Sequence, residues 1–358
     1  MSEQMTRARR GPVWWVGFLV RAGVALTCVL TVAAAVLLQV GPSSHPLLIL
    51  APYLPWPWLL LPAMLSLWCT IWLRPVWRWM AALSVALVAV VVMDLAWGSA
   101  DDGERPLRLM TYNAKVLLAS QRPGGMEGLA SEIAFHDPDV LVMQDAGGLP
   151  AMERANPGLQ ASLFGDRQVF FHGQYVVASR YPLSGCRAVR LPFPVEYHER
   201  HDFVHCEVQG PNGPFTLVTV HFVTPRQGLL AVRHGGLDGL EAWEGNVMAR
   251  IEQAHGLAEH LRGVAGPVIV AGDLNAPERS EVVRSLLATG LRDVWSSAGR
   301  GYGYTHGHSL RIGLHQSFLR IDHILVSSDI GVQATEVGGG LASEHRPVVA
   351  DLLMQRRR

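Results

Sequence analysis

Apolar residues are distributed unevenly along the chain and divide it into two parts. Nearly all of Pro12–Trp97 is apolar, whereas Asp101–Arg358 has the mixed composition of a globular domain. A helix needs about 20 apolar residues to cross a bilayer. The pattern therefore predicts a membrane domain over residues 1–97, with transmembrane helices at about 14–40, 47–73 and 79–97.

The three predicted spans differ in detail. Ala22–Val40 has no charged residue, and Trp14 and Trp15 lie where aromatic side chains anchor helices at the membrane interface. The second span is also uncharged, but a kinked or interfacial first half is expected from its four prolines, Pro52, Pro55, Pro57 and Pro62. The third span carries Asp94 near its end. An apolar run of this length is too long for a cleaved signal peptide.

Arginines beside the apolar segments predict how the chain crosses the membrane. Arg74 and Arg78 lie between the second and third spans, and the first span is flanked by Arg7, Arg9, Arg10 and Arg21. The loop Gly41–Pro46 has no lysine or arginine. Because positive residues concentrate on the cytoplasmic side, we expect a cytoplasmic N-terminus. Three crossings then place everything after Asp101 outside the cytoplasm.

The pattern changes after a polar linker at residues 98–106. From Leu107 onward, short β-like runs alternate with helical stretches and turns, which predicts a second domain over residues 107–358. Polar side chains stand at the ends of its predicted strands: Asn113, Asp145, His221, Asp273 and Asp322, with Glu344 and His345 before the last strand. Strand ends gather at one edge of an open sheet, where binding sites form.

The stretch Val268–Pro277 shows this arrangement most clearly. Its apolar residues predict a buried strand that Gly272 and Pro277 bring to an end. Asp273 and Asn275 leave the sheet two residues apart, so both project to the same side. A carboxylate and an amide there suit binding of a water, a hard cation or a phosphate oxygen. An isolated Asp-x-Asn is also typical of an Asx turn, and the accompanying strand-end groups favour the site.

These strand-end groups resemble the motifs of the endonuclease/exonuclease/phosphatase family. That family includes exonuclease III-like nucleases, DNase I, neutral sphingomyelinases and inositol polyphosphate phosphatases. The resemblance runs in order from Leu107 to Leu353 and rests on Thr111-Tyr-Asn113, Val142-Met-Gln-Asp145, Ser179-Arg-Tyr-Pro182, Thr219-Val-His221, Gly272-Asp-Leu-Asn275, Ile321-Asp-His323 and Ser343-Glu-His-Arg-Pro347.

The resemblance implies an α/β fold in which two packed, mixed β-sheets are flanked by helices, giving a four-layer sandwich after the membrane helices. It also implies hydrolysis of a phosphate ester by in-line attack of a metal-activated water. Asn113, Asp145 and Glu344 would hold Mg²⁺ or Mn²⁺. Asp273 would orient or deprotonate the attacking water, and Asn275 would hold that water or a phosphate oxygen. His221 and His345 would donate hydrogen bonds to the phosphoryl oxygens, and Asp322 would lie behind His345 and fix its tautomer.

Two positions depart from the family pattern, and a third departs from a narrower nuclease signature. Asp145 stands where the family usually has glutamate, and Glu344 stands where it usually has aspartate. If both face one cation, the shorter and the longer side chain could compensate; if not, metal affinity falls. Lys115 stands where a nuclease signature would carry an acidic residue, which disfavours a repair nuclease.

The substrate depends on location. Three spans before an outward domain resemble bacterial membrane-bound members related to teicoplanin-resistance proteins, which implies a multi-pass protein of the inner or plasma membrane acting on polyprenyl phosphates. A lipid-linked phosphate ester, such as a polyprenyl pyrophosphate or a phospholipid, is therefore the expected substrate. Two alternatives stay open: an outward-facing nuclease using Arg190, Arg200, Arg226 and Arg233, or a receptor that has lost its metal. Formal net charge is zero, which weakens the nucleic-acid alternative.

The cysteines and the other histidines give less information about function. Cys186 and Cys206 fall in β-like runs that could pair, and an oxidising compartment would allow a disulfide between them. No Cys/His spacing suggests zinc. His306, His308 and His315 lie in the glycine-rich loop Gly299–Gly313, where we expect solvated or substrate-facing side chains.

Overall fold

The computed structural model describes residues 12–40, 46–104, 106–192, 202–307 and 317–354. Contacts divide them into two compact units: residues 12–40 and 54–95 form the first, and residues 46–53 and 96–354 form the second. Arg7, Arg9, Arg10, Arg200, His308 and His315, on which some sequence predictions rest, lie outside the described residues.

Helices occur in both units. In chain order they are α1 (Pro12–Val40), α2 (Pro46–Leu50), α3 (Leu60–Cys69), α4 (Pro75–Leu87), α5 (Val116–Ala119), α6 (Gly125–His136), α7 (Leu149–Ala155), α8 (Leu159–Phe164), α9 (Arg226–Gly235), α10 (Leu240–Arg262), α11 (Glu281–Leu287) and α12 (Val294–Ala298).

All strands of the described residues belong to the second unit. They are β1 (Ala96–Trp97), β2 (Leu107–Asn113), β3 (Val140–Gln144), β4 (Gln168–His172), β5 (Tyr175–Ser179), β6 (Leu183–Arg190), β7 (Asp202–Gly210), β8 (Gly213–His221), β9 (Val268–Asp273), β10 (Arg292–Asp293), β11 (Arg300–Gly301), β12 (Asp322–Val326), β13 (Ile330–Val337) and β14 (Val348–Met354).

The first unit contains two helices that are long and apolar enough to cross a membrane. They are Trp14–Gln39 within α1 and Pro75–Val92, in which the π-helical turn Val88–Val92 continues α4. The third predicted span, at 79–97, is thus displaced toward the N-terminus. After Val92 the chain leaves the helix at Asp94, whose φ is 61°, and Ala96–Trp97 pairs with β11 instead.

The predicted helix at 47–73 is wrong, because no single helix covers it. The described residues there form α2, the 3₁₀ turns Ala51–Tyr53 and Trp56–Leu59, and the ten-residue helix α3. Prolines cause the breaks, since each lacks an N–H donor and restricts the residue before it. Pro52, Pro55 and Pro57 fall where the helix is interrupted.

Two six-stranded sheets form the body of the second unit. The first has the order β13-β14-β2-β3-β5-β4, and the second has the order β10-β12-β9-β8-β7-β6. One pair in each sheet is parallel, β2 with β3 and β8 with β9, and the other pairs are antiparallel. Both sheets are therefore mixed, as predicted from the family resemblance.

Alternation along the strands builds three apolar layers. Leu109 of β2 and Ile269 of β9 lie in the core between the sheets. Their neighbours point outward: Met110 packs with residues of α6 and α8, and Val270 packs with residues of α10 and α11. Side chains two apart share a face in a strand, so each central strand buries both faces. The order helix–sheet–sheet–helix confirms the predicted sandwich.

Cys186 of β6 and Cys206 of β7 form a disulfide. The two strands are antiparallel neighbours, with Arg187 opposite His205, which brings the two cysteines side by side. Cys206 is fully buried in the core between the sheets. The disulfide that the sequence left open is thus formed in the structure.

Candidate active site

Strand pairing brings polar strand ends together at one end of the sandwich. In the first sheet, Asn113 is paired with Gln144 at the ends of two parallel strands. In the second sheet, Asp273 is paired with His221 on one side and with Asp322 on the other. Side-chain alternation places all five on the face that looks toward the opposite sheet, because each lies an even number of residues from an inward apolar side chain of its strand.

Gly272 allows the central strands of the second sheet to approach closely beside this site. A Cβ on Gly272 would lie 2.0 Å from the carbonyl oxygen of Val220. No real Cβ tolerates that distance, so a side chain here would push β8 away from β9. The glycine before Asp273 thus preserves the spacing between Asp273 and His221.

Asp273 is the centre of the cluster. Its Oδ2 accepts a 2.7 Å hydrogen bond from Nδ2 of Asn113 and lies 3.3 Å from Nε2 of His221 and 3.8 Å from Nδ1 of His345. Burial alone would raise the pKa of Asp273, but the charges of His345 and His221, with hydrogen bonds from His221 and Asn113, hold it below its usual range. Asp273 is therefore an ionised carboxylate at neutral pH.

His345 and Asp322 form a buried pair. Nδ1 of His345 lies 2.9 Å and 3.2 Å from the two carboxylate oxygens of Asp322, and both side chains are almost fully buried. Burial favours the neutral imidazole, yet the charges of Asp322 and Asp273 raise the pKa of His345 above its usual value. Asp322 thus fixes Nδ1 as the protonated nitrogen that donates to it, and Nε2 turns toward Asn113 at 3.5 Å from its Nδ2.

His221 is oriented in a similar way by groups of the first sheet. Its Nδ1 lies 2.7 Å from Oε1 of Gln174 and donates to it, and its backbone N–H donates to the hydroxyl of Tyr175 at 3.1 Å. Nδ1 also lies 3.6 Å from Oδ1 of Asp145. With Nδ1 held in this way, Nε2 faces Asp273.

Asn275 follows β9 in a left-handed conformation with φ 49°. Such a φ is uncommon for residues other than glycine. Its N–H donates to Oδ1 of Asp273 at 2.8 Å, and its Nδ2 donates to the carbonyl oxygen of Phe222 at 2.9 Å. These bonds hold Asn275 beside Asp273.

The donor set fits a divalent cation. Oδ1 of Asn113 is buried and has no hydrogen-bond partner among the described residues, although Nδ2 of the same amide is bonded to Asp273. An unused oxygen beside a carboxylate is a ligand arrangement that hard cations prefer. Asp273, Asp322 and His345 also offer ligand atoms within 4.8 Å of one another. Since Nδ1 of His345 already donates to Asp322, we assign Asp322 to orienting His345 rather than to binding the metal.

The other two predicted metal ligands lie at the edge of the cluster. Asp145, with φ 52°, directly follows β3, and its side chain is about a quarter exposed. The Glu344 carboxylate lies 3.3 Å from Nζ of Lys115 and 4.0 Å from Arg226. Partial burial would raise the pKa of Glu344, and Lys115 lowers it below its usual value. The metal-binding roles of Asn113, Asp145 and Glu344 stay predictions.

No partner could be assigned from the sequence for three residues of the site. Gln174 lies in the tight turn between β4 and β5, and nothing in its local sequence marks it as the partner of His221. Lys115 was noted only as a departure, not as the partner of Glu344. The imidazole of His306 stacks on that of His345 with centroids 4.3 Å apart. Burial and the charge of His345 lower the pKa of His306 to about 3, so the ring is neutral at neutral pH.

An ionised aspartate, two oriented histidines and an unused amide oxygen in one buried cluster are suited to activating water beside a divalent cation, which is the chemistry of a hydrolase. The particular family follows from comparison with known proteins. The model of the Endonuclease/Exonuclease/phosphatase family matches residues 110–345. Since this match covers more than half of the chain, the protein belongs to that family, and it is a metal-dependent phosphoric ester hydrolase.

Two solved structures with TM-scores above 0.5 agree on the fold. D. rerio TDP2 complexed with single-strand DNA product has a TM-score of 0.51 at 16% identity, covering 70% of this chain and 99% of that one. An endonuclease/exonuclease/phosphatase family protein from Leptotrichia buccalis also has a TM-score of 0.51 at 16% identity, covering 69% and 99%. The endonuclease/exonuclease/phosphatase from Beutenbergia cavernae is 22% identical, with a TM-score of 0.48 and coverage of 70% and 72%. No curated protein sequence matches significantly.

Proposed function

We propose that this protein is a membrane-anchored phosphoesterase that hydrolyses a lipid-linked phosphate ester, such as a polyprenyl diphosphate or a phospholipid, outside the cytoplasm. The observation that carries the phosphoesterase part is the buried cluster around Asp273, with Asn113 offering an unused oxygen beside it. Apolar helices in the same chain support the lipid-linked substrate.

Asp273 and Asn275 would act on the attacking water. The carboxylate of Asp273 is kept ionised by its neighbours and can accept a proton or orient the water. The amide of Asn275 donates through Nδ2 to the protein backbone, which directs Oδ1 away from that bond. Oδ1 would then hold the water.

His221 and His345 would act on the phosphoryl group. Nδ1 of each is bound to the protein, by Gln174 and Asp322 respectively, so each ring directs Nε2 into the site, where the Nε2 of His221 would exchange its contact with Asp273 for one with the substrate. Hydrogen bonds from these nitrogens would stabilise phosphoryl oxygens as negative charge grows on them in the transition state. The raised pKa of His345 favours the protonated ring that such a bond requires.

Asn113, Asp145 and Glu344 would hold the divalent cation, Mg²⁺ or Mn²⁺. When bound, the cation neutralises charge on the phosphoryl oxygens and lowers the pKa of a coordinated water. Asn113 fits this role best, because its Oδ1 is buried and unused while its Nδ2 is already fixed.

Three observations support the membrane location and orientation. Only 33% and 22% of the two long apolar helices are buried, whereas the core helix of a soluble protein is mostly buried. Exposed apolar side chains in them include Trp15, Leu19, Val29, Trp79 and Leu83. The Cys186–Cys206 disulfide fits an oxidising compartment outside the cytoplasm.

The second candidate is an outward-facing nuclease. The TDP2 structure that resembles this fold carries a single-stranded DNA product, and Arg226 is exposed beside Glu344. A third candidate, a receptor without catalysis, would require the ion pair of Glu344 with Lys115 to exclude the metal.

The full chain in detergent separates these candidates. Phosphate release from a polyprenyl diphosphate and nicking of plasmid DNA would be measured side by side, with Mg²⁺, with Mn²⁺ and with a chelator. Metal-dependent phosphate release that is lost in Asp273→Asn supports the lipid phosphatase. DNA nicking without phosphate release would favour the nuclease over the lipid phosphatase. No activity in either assay, together with no Mn²⁺ binding, would favour the receptor.

A further inference from the structure

The segment Pro46–Tyr53 lies between two apolar helices in the sequence, yet it packs within the second unit. It consists of α2 and the 3₁₀ turn Ala51–Tyr53, and α2 contacts α10. Ile49 and Tyr53 are 9% and 4% exposed, and both belong to the apolar core on the outer face of the second sheet. Part of the catalytic unit therefore precedes the long apolar helix at Pro75–Val92 in the chain.

Tyr53 occupies a specific place in that core. Its ring meets the ring of Trp243 edge to face at 5.1 Å, and the guanidinium of Arg250 lies 5.5 Å from its centroid. Arg250 is fully buried, and its Nε and Nη2 have no hydrogen-bond partner among the described residues. Aromatic faces stabilise such a buried cation. The tyrosine ring is thus one of the groups that compensate the charge of Arg250.

The hydroxyl of Tyr53 reaches the active site. It donates a 3.1 Å hydrogen bond to the backbone carbonyl oxygen of Asn275. Asn275 has the left-handed φ of 49°, a conformation that persists only where surrounding contacts hold it. Its N–H is held by Asp273, its Nδ2 by Phe222 and its carbonyl by Tyr53. Tyr53 provides the only one of these three contacts that comes from outside the β8 and β9 strand ends.

We infer that Tyr53 is a positioning residue of the active site, through which the segment between the apolar helices fixes the backbone of Asn275. This inference rests on the proposed role of Asn275 in holding the attacking water. It also makes Pro46–Tyr53 a working part of the catalytic unit. A fragment that begins after Tyr53 would lack the contact.

Tyr53→Phe in the full chain tests the inference, because it removes the hydroxyl, with its bond to Asn275 and its interaction with Arg250, and keeps the ring against Trp243 and Arg250. Tyr112→Phe is the matched control: Tyr112 is fully buried, and its hydroxyl has no hydrogen-bond partner within the described part of the chain. Both variants lose one buried hydroxyl, and only one of these hydroxyls is bonded to the active site.

Two measurements on detergent-solubilised protein are needed. The first is metal-dependent hydrolysis of bis(p-nitrophenyl) phosphate and of a polyprenyl diphosphate. We expect Tyr53→Phe to lower kcat about three- to tenfold with little change in KM, the size of one lost hydrogen bond. The second is hydrogen exchange of a peptide spanning residues 272–278, which we expect to speed up in Tyr53→Phe. Tyr112→Phe should match the wild type in both.

The outcomes are distinct. Faster exchange with lower kcat in Tyr53→Phe supports the inference. Unchanged hydrogen exchange at residues 272–278 overturns the inference. This result does not depend on activity, so it can be obtained even if the wild type hydrolyses neither ester and the proposed function fails. Faster exchange with an unchanged kcat in an active protein also overturns it, since Tyr53 would then only stabilise the loop. An equal loss in Tyr112→Phe would assign the effect to the loss of any buried hydroxyl.

Discussion

The contact between Asp322 and His345 gives the sharpest prediction for catalysis. Both residues are about 2% exposed, and the two Asp322 oxygens lie 2.9 Å and 3.2 Å from Nδ1 of His345. Asp322→Asn keeps the size of the side chain and removes its charge. A buried hydrogen bond to a charged group contributes about 1.5–3 kcal/mol, and more when it stabilises charge in a transition state. We therefore expect kcat/KM to fall about 30- to 1,000-fold, or about 2–4 kcal/mol.

The same substitution should alter the pH profile. The charges of Asp322 and Asp273 raise the pKa of His345, so loss of Asp322 lowers that pKa. If protonated His345 donates to the phosphoryl group, the alkaline limb of kcat/KM moves to lower pH in Asp322→Asn.

The assay is metal-dependent hydrolysis by the full chain across pH, with thermal unfolding recorded for each variant. Asp351→Asn is the matched control, since Asp351 is a partly buried carboxylate of β14 that pairs with Arg108. We expect the control to keep wild-type activity. The reasoning is refuted if a folded Asp322→Asn protein retains wild-type kcat/KM, or if its alkaline limb does not move.

Other contacts give further predictions. Lys115→Met should tighten Mn²⁺ binding several-fold, measured by calorimetry, because it frees the Glu344 carboxylate; an unchanged affinity would remove Glu344 from the metal site. Replacing both Cys186 and Cys206 by alanine should lower stability by about 3 kcal/mol, the loop-closure value for a separation of 20 residues, and mass analysis of unreduced wild type should show two fewer hydrogens than reduced protein. His136 donates hydrogen bonds to Glu132 and to Glu336, and these raise its pKa although burial lowers it. Its contribution to stability is therefore complete below the unfolded pKa of about 6.5 and is lost as pH rises through the folded value. Denaturant unfolding of His136→Gln between pH 6 and 9 should lack that loss, and an identical pH dependence in both proteins would contradict the assignment.

The strand ends of the site could be predicted from the sequence because short-range patterns determine them. Alternation in β2, β8 and β9 places Asn113, His221 and Asp273 on inward faces at the ends of buried strands. The family resemblance then supplied the two-sheet fold and the pairing of Asp322 with His345, which the structure contains. The contact of Asn113 in the first sheet with Asp273 in the second could not be predicted from strand patterns alone, because it depends on how the two sheets face each other.

Contacts between distant segments were not predictable. Lys115 and Glu344 are far apart in sequence, and nothing local pairs them; the same holds for Gln174 with His221. The predicted helix at 47–73 failed for a different reason. Its apolar composition suits a membrane and a protein core equally, and Tyr53 packs in the core of the catalytic unit. Composition measures hydrophobicity without saying which apolar environment the segment enters.

The central claim is that the cluster around Asp273 hydrolyses a phosphate ester with a divalent cation. The most direct test is phosphate release from a polyprenyl diphosphate by the full chain in detergent, stripped with a chelator and then titrated with Mn²⁺. We expect saturable recovery of activity in the wild type, and a rate at least about 1,000-fold lower in Asp273→Asn, or about 4 kcal/mol. Hydrolysis that persists without metal, or an Asp273→Asn protein as active as the wild type, would contradict the account.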